Sequence, residues 1–312
     1  MTERGVLLTA YGSPETLDDV QAYFTHIRGG RAPSPAQVDA LRARYRRIGG
    51  TSPLRAVTAA QAEGLRRALS RRGLTLPVYV GMKHAPPFIA DTVAAMARDG
   101  VRDGVVLALA PHYSRVSIAG YFSAAGEAAA AHGIRLRAVE SWHDHPGFIA
   151  ALAARLREAL ARCAVPSAAE VIFTAHSLPA RILTWGDPYP QQLRVTSVLT
   201  ARAAGVERWR FAYQSASSTG ERWLGPDLLE VLRAVAQEGR REVVVCPVGF
   251  VADHLEVLYD IDVEGQAVAR QVGLRLVRAP SLNDGADFIE ALADITAAAL
   301  ADTAAPAPPR AP

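Results

Sequence analysis

Hydrophobic positions along the chain fall into two alternating patterns. Short apolar runs occur at Gly5–Ala10, Pro77–Met82, Gly104–Ala110, Ile134–Val139, Val171–Ala175, Trp209–Tyr213, Glu242–Val248 and Leu274–Val277. Most are rich in Val, Leu and Ile with little alternation, as expected of strands covered on both faces. Between them lie helix-length stretches: Pro53–Arg72, Pro87–Arg98, Pro146–Arg162, Tyr189–Ala204, Pro226–Gly239 and Asp253–Val272. Proline stands near several of their starts and glycine near several of their ends, which is the asymmetry helices show.

Strand–helix alternation predicts an α/β fold with parallel sheets. The break at Cys163–Glu170 (CAVPSAAE) is polar, contains proline, and divides the strands four and four. Eight strands could close into one barrel or form two open sheets; this break favours two Rossmann-like domains, each a four-stranded parallel sheet flanked by helices, with a cleft between them. The expected spans are 1–163 and 164–283. A last helix at 284–302 is expected to pack back on the first domain, ahead of a flexible, low-complexity tail at 303–312.

The 312 residues hold 34 Lys and Arg against 31 Asp and Glu, a formal net charge of +3. That surplus is too small to argue for nucleic acid. Two cysteines, Cys163 and Cys246, exclude a disulfide framework, a four-cysteine zinc site and an all-cysteine iron–sulfur cluster. The first apolar run is shorter than a signal-peptide core, and no stretch approaches the roughly 18 apolar residues of a membrane span. The expectation is a cytoplasmic protein.

Ligands of open α/β sheets bind beyond the carboxyl ends of the strands. The residues there are Tyr11-Gly12-Ser13-Pro14, Lys83-His84, Pro111-His112-Tyr113, Glu140-Ser141-Trp142, His176-Ser177, Gln214-Ser215 and Gly249 to Glu256. No G-x-G-x-x-G, P-loop or G-x-S-x-G motif occurs among them. What remains is a metal-type set of imidazole and carboxylate. In Asp253–Glu264 (DHLEVLYDIDVE), an α-helix would stack Glu256, Asp260 and Glu264 at i, i+4 and i+8 on one face. Stacked carboxylates repel, and a cation would relieve them. The same segment also fits a helix-capping pattern and a solvated acidic face. His176 alone fits a hydrogen-bonded structural histidine as well as a ligand. His26, His132, His143 and His145 receive no role.

The strings TAYGSPET, YFTHIRGGR, YRRIGGTSPL, GMKHAPPFI, LAPHYS, ESWHDHPGFI, TAHSLP, GDPYPQQL, FAYQS, WLGPD and PVGFVADHLEVLYDID resemble the ferrochelatase family, from about Gly5 to Ile295. The AHSLP and PVGFVADHLEVLYD strings carry the resemblance most specifically. The AYG start is most similar to the coproporphyrin III ferrochelatases of the Gram-positive type. The resemblance implies a class II chelatase-like enzyme, a lyase that inserts Fe2+ into coproporphyrin III in haem biosynthesis. It assigns porphyrin binding to the first domain and metal binding to the second.

Position by position, the resemblance places the iron-binding histidine at His176 and its partner glutamate at Glu256. Asp260 and Glu264 fall on a line of acids read as a metal route. Tyr11 falls where coproporphyrin-type members carry a tyrosine that ligates the inserted iron. Porphyrin contacts fall on Arg28, Arg44, Tyr45, Ser52 and Tyr121, and Lys83, His84, Ser215 and Trp223 match positions near the cleft. Relatives often carry a second basic residue after the position of Arg28, where this chain has Gly29. Iron is then a substrate, with no permanent cofactor. Two cysteines cannot supply the four that hold a [2Fe–2S] cluster in some members. The resemblance further implies a monomer in transient contact with an upstream oxidase and a downstream coprohaem decarboxylase. Competing readings are a protoporphyrin IX ferrochelatase, a related tetrapyrrole cobalt chelatase, and a porphyrin or haem carrier that inserts no metal.

Overall fold

The computed structural model describes residues 3–217 and 220–302. Eight strands are present among them: β1 (Arg4–Ala10), β2 (Val78–Met82), β3 (Asp103–Ala108), β4 (Arg135–Val139), β5 (Glu170–His176), β6 (Trp209–Gln214), β7 (Glu242–Cys246) and β8 (Arg275–Arg278). All eight apolar runs are strands. They form two four-stranded sheets, ordered β2-β1-β3-β4 and β6-β5-β7-β8, with every pairing parallel. The helices are α1 (Val20–Ile27), α2 (Pro35–Arg47), α3 (Leu54–Arg71), α4 (Ile89–Arg98), α5 (Ala119–Ala131), α6 (Pro146–Leu160), α7 (Tyr189–Ala204), α8 (Leu228–Gln237), α9 (Leu255–Tyr259), α10 (Gln266–Gln271) and α11 (Ala286–Ala301).

The described residues form two compact units, 3–142 with 283–302, and 143–282. The division therefore falls at Trp142/His143 and not at residue 163. The polar break at Cys163–Glu170 is a turn inside the second unit, where Glu242 accepts hydrogen bonds from the Ala164 and Val165 amides. Helix α6 packs on α7, β7 and β8 and belongs to that unit. Helix α11 packs on α3 and β3 of the first unit. Arg72 there pairs with Glu290 at 2.7 Å and Asp294 at 3.0 Å. The tail expected at 303–312 lies outside the described residues.

In the first unit, Leu7 and Val106 pack with Val93, Met96, Phe122 and Leu136, all buried. In the second, Ile172, Val243 and Val245 pack with Leu232 and Val235, and also with Val257 and Ile261. Burying such a side chain contributes about 1.5–3 kcal/mol. Val257 and Ile261 thereby fix which face of their segment is inward, and the acids beside them in sequence, Glu256 and Asp260, are placed by that anchoring.

The segment Asp253–Val272 is not the single α-helix its pattern predicts. It opens with α9, widens into a π-helical turn over Asp260–Gly265 and resumes as α10. The i→i+5 bonding of a π turn breaks the i, i+4, i+8 register, so Glu256, Asp260 and Glu264 do not form a straight stripe.

Candidate functional site

His176 is the last residue of β5, next in register to Gln214 at the end of β6. Its backbone carbonyl accepts a hydrogen bond from the Tyr189 hydroxyl at 2.9 Å. A Cβ on Gly249, which follows β7, would collide with the Ala175 Cβ. Only glycine lets that loop pass so close beside the end of β5. The His176 Nδ1 hydrogen-bonds the Ser177 carbonyl, so Nδ1 carries a proton and Nε2 is directed elsewhere. Nε2 lies 3.5 Å from Glu256 Oε1.

Glu256 stands in the first turn of α9, and Gln214 Nε2 donates to its backbone carbonyl at 2.8 Å. Its other oxygen, Oε2, lies 3.5 Å from His254 Nε2. His254 repeats the arrangement of His176: its Nδ1 meets the Ala252 carbonyl at 2.8 Å. One carboxylate thus faces two imidazoles, each oriented by a backbone carbonyl. His254 was not singled out from the sequence. It sits inside the DHLE string, two residues from Glu256, and a geometric partner of that kind has no spacing signal of its own.

Burial alone would push the His176 imidazolium pKa down. The Glu256 carboxylate, with smaller help from Ser177 and Asp260, outweighs burial and raises it to about 9. Burial likewise favours a neutral Glu256, but His176 and then His254 hold that carboxyl well below the usual range. The metal-free pair is an imidazolium facing a carboxylate. Among the described residues no three His, Cys, Asp or Glu side chains are already gathered in metal-binding geometry. His176, His254 and Glu256 are the groups that could present nitrogen and oxygen to a cation here.

The remaining second-unit candidates are dispersed. Asp260 is buried and accepts a hydrogen bond from Ser215, whose backbone has φ 64°. A non-glycine residue in that conformation is unusual, and such strain concentrates at functional sites. Glu264, within the π turn, is exposed to solvent. The Trp223 ring lies 6.3 Å from the His176 ring.

In the first unit, Tyr11 follows β1 and is 41% exposed. Its ring packs 4.6 Å from the His84 ring. His84 Nδ1 lies 3.0 Å from His26 Nδ1, so one of the two donates and the other accepts. Burial, then the Lys83 and His26 charges, lower the His84 pKa to about 4. Burial also lowers that of Lys83, whose ammonium donates to the Ser117 carbonyl at 3.4 Å and sits 5.0 Å over the Tyr121 ring.

Arg28 ends α1, its guanidinium 5.7 Å from the Phe24 ring. Gly29 and Gly30 follow with φ 64° and 86°, so the chain needs glycine where a basic residue was noted as missing. An open depression of about 740 Å³ runs along α1, lined by Asp18, Gln21, Ala22, Thr25, His26, Gly29 and Gly30. Arg44 is half-buried on α2, and the Ser52 hydroxyl accepts from the Leu54 amide at 3.2 Å. Tyr45 and Tyr121 are buried, 2% and 6% exposed. Any contact they make with a ligand is confined to the few atoms that reach the surface.

Comparison with known proteins gives a consistent result. A family model described as Ferrochelatase matches residues 3–300. A ferrochelatase of Herpetosiphon aurantiacus is 44% identical over 292 residues, 92% of this chain and 96% of the relative. A coproporphyrin III ferrochelatase of Halalkalibacterium halodurans is 42% identical over 302 residues, 96% of this chain and 97% of the relative. Among solved structures, SirB from Bacillus subtilis with Fe3+ is similar with a TM-score of 0.62 at 13% identity, covering 97% of each chain. That likeness supports the fold of two Rossmann-like domains.

Proposed function

The chain belongs to the ferrochelatase family, and on that premise we propose that it inserts Fe2+ into coproporphyrin III. The observation that carries the reading is the single Glu256 carboxylate with His176 and His254 Nε2 atoms each 3.5 Å from one of its oxygens. The reaction consumes a ferrous ion and a free-base macrocycle and yields the metallated macrocycle and two protons. His176 is the principal ligand and proton acceptor, Glu256 its acidic partner and His254 a third group on the same carboxylate.

The electrostatics give the site a cycle. At rest one proton bridges the charge between His176 and Glu256. An arriving ferrous ion takes the place of that proton, because Nε2 must be deprotonated to bind metal. When the iron passes into the macrocycle, Nε2 is basic again and takes one of the two pyrrole protons, restoring the imidazolium–carboxylate pair, while the second goes to solvent as the displaced proton did. The site therefore exchanges Fe2+ for H+ and returns to its starting charge.

First-unit residues supply the complementary chemistry. Arg28 and Arg44 are suited to propionate carboxylates, with Tyr45, Ser52 and Tyr121 as further hydrogen-bonding groups. Tyr11 is the phenol that ligates product iron, and Lys83, His84, Ser215 and Trp223 are further contacts. Asp260 and Glu264 line the approach of the metal. Two cysteines cannot supply four thiolates to a cluster, so iron enters as substrate only. No helix among the described residues is long and apolar enough to cross a membrane. A cytoplasmic monomer in contact with an oxidase and a decarboxylase completes the reading.

An anaerobic insertion assay with ferrous iron tests it. Faster turnover with coproporphyrin III than with protoporphyrin IX is expected. Tight porphyrin binding without metallation would assign the protein to the carriers, and preference for cobalt with another tetrapyrrole to the related chelatases.

A further inference from the structure

The proposed metal-side residues His254, Glu256 and Asp260 lie on one short stretch of chain, and that stretch is held at both ends by one arginine. Arg278 is the last residue of β8, with its side chain only 16% exposed. Its Nε donates to both oxygens of Asp262, at 2.9 and 3.0 Å. Its Nη1 donates to Asp253 Oδ1 at 3.1 Å. Ser281 reinforces that arm by donating to the same Asp253 oxygen at 2.7 Å. Asp253 immediately precedes His254, and Asp262 lies in the π turn two residues after Asp260.

We infer that Arg278 is the positioning residue of the metal site. It spans α9 and the π turn, and it occupies the two carboxylates that flank the ligand-bearing stretch. The physical reason is twofold. A five-residue helix running into a π turn has little stability of its own, since isolated helices this short do not persist in water. Its buried Val257 and Ile261 fix the inward face, but they do not fix rotation and rise at the two ends. A planar guanidinium bridging Asp253 and Asp262 does. Second, Asp253 and Asp262 are hard-oxygen donors within a few residues of Glu256. Left unpaired, they would compete with it for a divalent cation. Paired with Arg278, they are withdrawn from that competition.

The inference rests on the ferrochelatase reading, and the experiment separates the two. Arg278→Gln, Arg278→Lys and Asp262→Asn are compared with wild type in the full chain. Zn2+ binding is measured by calorimetry without porphyrin, and insertion is measured with metal and porphyrin varied independently. Groups that orient metal ligands typically change affinity by roughly 10–100-fold when removed. We expect Arg278→Gln to raise the KM for metal by about tenfold and to add a second, weaker Zn2+ site. The KM for porphyrin stays within about twofold. Arg278→Lys keeps the charge but not the fork, and recovers only part of the loss. Asp262→Asn cuts one arm while leaving the arginine, and serves if the arginine variants do not fold. Hydrogen exchange over residues 255–265 should quicken in every variant. Unchanged metal KM, Zn2+ stoichiometry and exchange in a folded variant would overturn the inference. A wild type that binds Zn2+ at His176 but metallates nothing would instead overturn the proposed activity, while the exchange result would still decide the clamp.

Discussion

The two units end their strands in opposite chemistry. Beyond β5 and β7 stand His176, His254 and Glu256, where opposite charges face each other and the histidine pKa is driven up to about 9. Beyond β1 and β2 stand Tyr11, Lys83 and His84. There burial and like charge drive the histidine down to about 4, and the lysine meets a carbonyl and an aromatic ring, not a carboxylate, among the described residues. One set pairs imidazoles with a carboxylate, chemistry that suits the proposed exchange of a cation for a proton. The other is aromatic with one poorly solvated positive charge, which suits a flat ring bearing carboxylates. The same sheet topology therefore serves both, and the difference lies in a few loop residues.

The largest expected effect comes from breaking the first set. His176→Ala should reduce metal insertion by roughly 10²–10⁴-fold, the range associated with loss of a positioned acid–base group. Porphyrin affinity, read by fluorescence quenching, should barely move. Near wild-type turnover in this variant would remove His176 from the mechanism. The second set should respond in the opposite sense. Lys83→Met or Arg28→Ala should weaken porphyrin binding by about tenfold, since a sheltered charged hydrogen bond is worth about 1.5–3 kcal/mol. Metal KM should stay the same; if it rises as far as porphyrin affinity falls, the two sets are not separate in function.

The contrast also predicts opposite pH dependences of stability. His176 binds its proton more tightly folded than unfolded, with about 9 against an ordinary 6.5. Its contribution is complete below 6.5 and is lost as pH rises toward 9. Glu256 is depressed, so its contribution is present above 4.5 and is lost only at lower pH. His84 is depressed to about 4, so folding is opposed as pH falls below 6.5 and the unfolded chain takes up the proton. Thermal melting against pH should show an alkaline decline that His176→Ala flattens and an acid decline that His84→Asn flattens. The same slopes in wild type and both variants would show that neither histidine carries the shift.

Much of this was legible in the sequence for a physical reason. Strands buried on both faces must be apolar throughout, so the inner strands β1, β3, β5 and β7 stand out without any knowledge of their partners, and the half-buried edge strands β2, β4, β6 and β8 also show as apolar runs. The residues after them, Tyr11, Lys83, His84 and His176, follow from the rule that ligands bind at strand ends. The domain boundary was misplaced because a Pro-containing polar break signals a turn, and a turn leading into β5 looks the same as a linker. Which sheet α6 covers is a tertiary fact. The π turn at Asp260–Gly265 was equally hidden, because its hydrophobic pattern is that of an ordinary helix. The Arg278 contact with it comes from a strand 16 residues beyond Asp262 in sequence.

The smallest thermodynamic effect should come from Tyr11, and it probes the first set most finely. The side chain is 41% exposed and its ring rests on His84. Tyr11→Phe keeps the ring and removes only the hydroxyl, so its cost to stability should stay within about 0.5 kcal/mol, as for most surface substitutions. Its effect on the bound product should be qualitative. A phenolate oxygen on ferric iron alters the visible spectrum, and a phenyl ring cannot supply one. Coprohaem bound to Tyr11→Phe should therefore absorb differently from coprohaem bound to wild type, while the two apoproteins melt together. A common spectrum would take the ligand role from Tyr11 and leave its ring as packing for His84, reducing the first set to a binding surface with no claim on the metal.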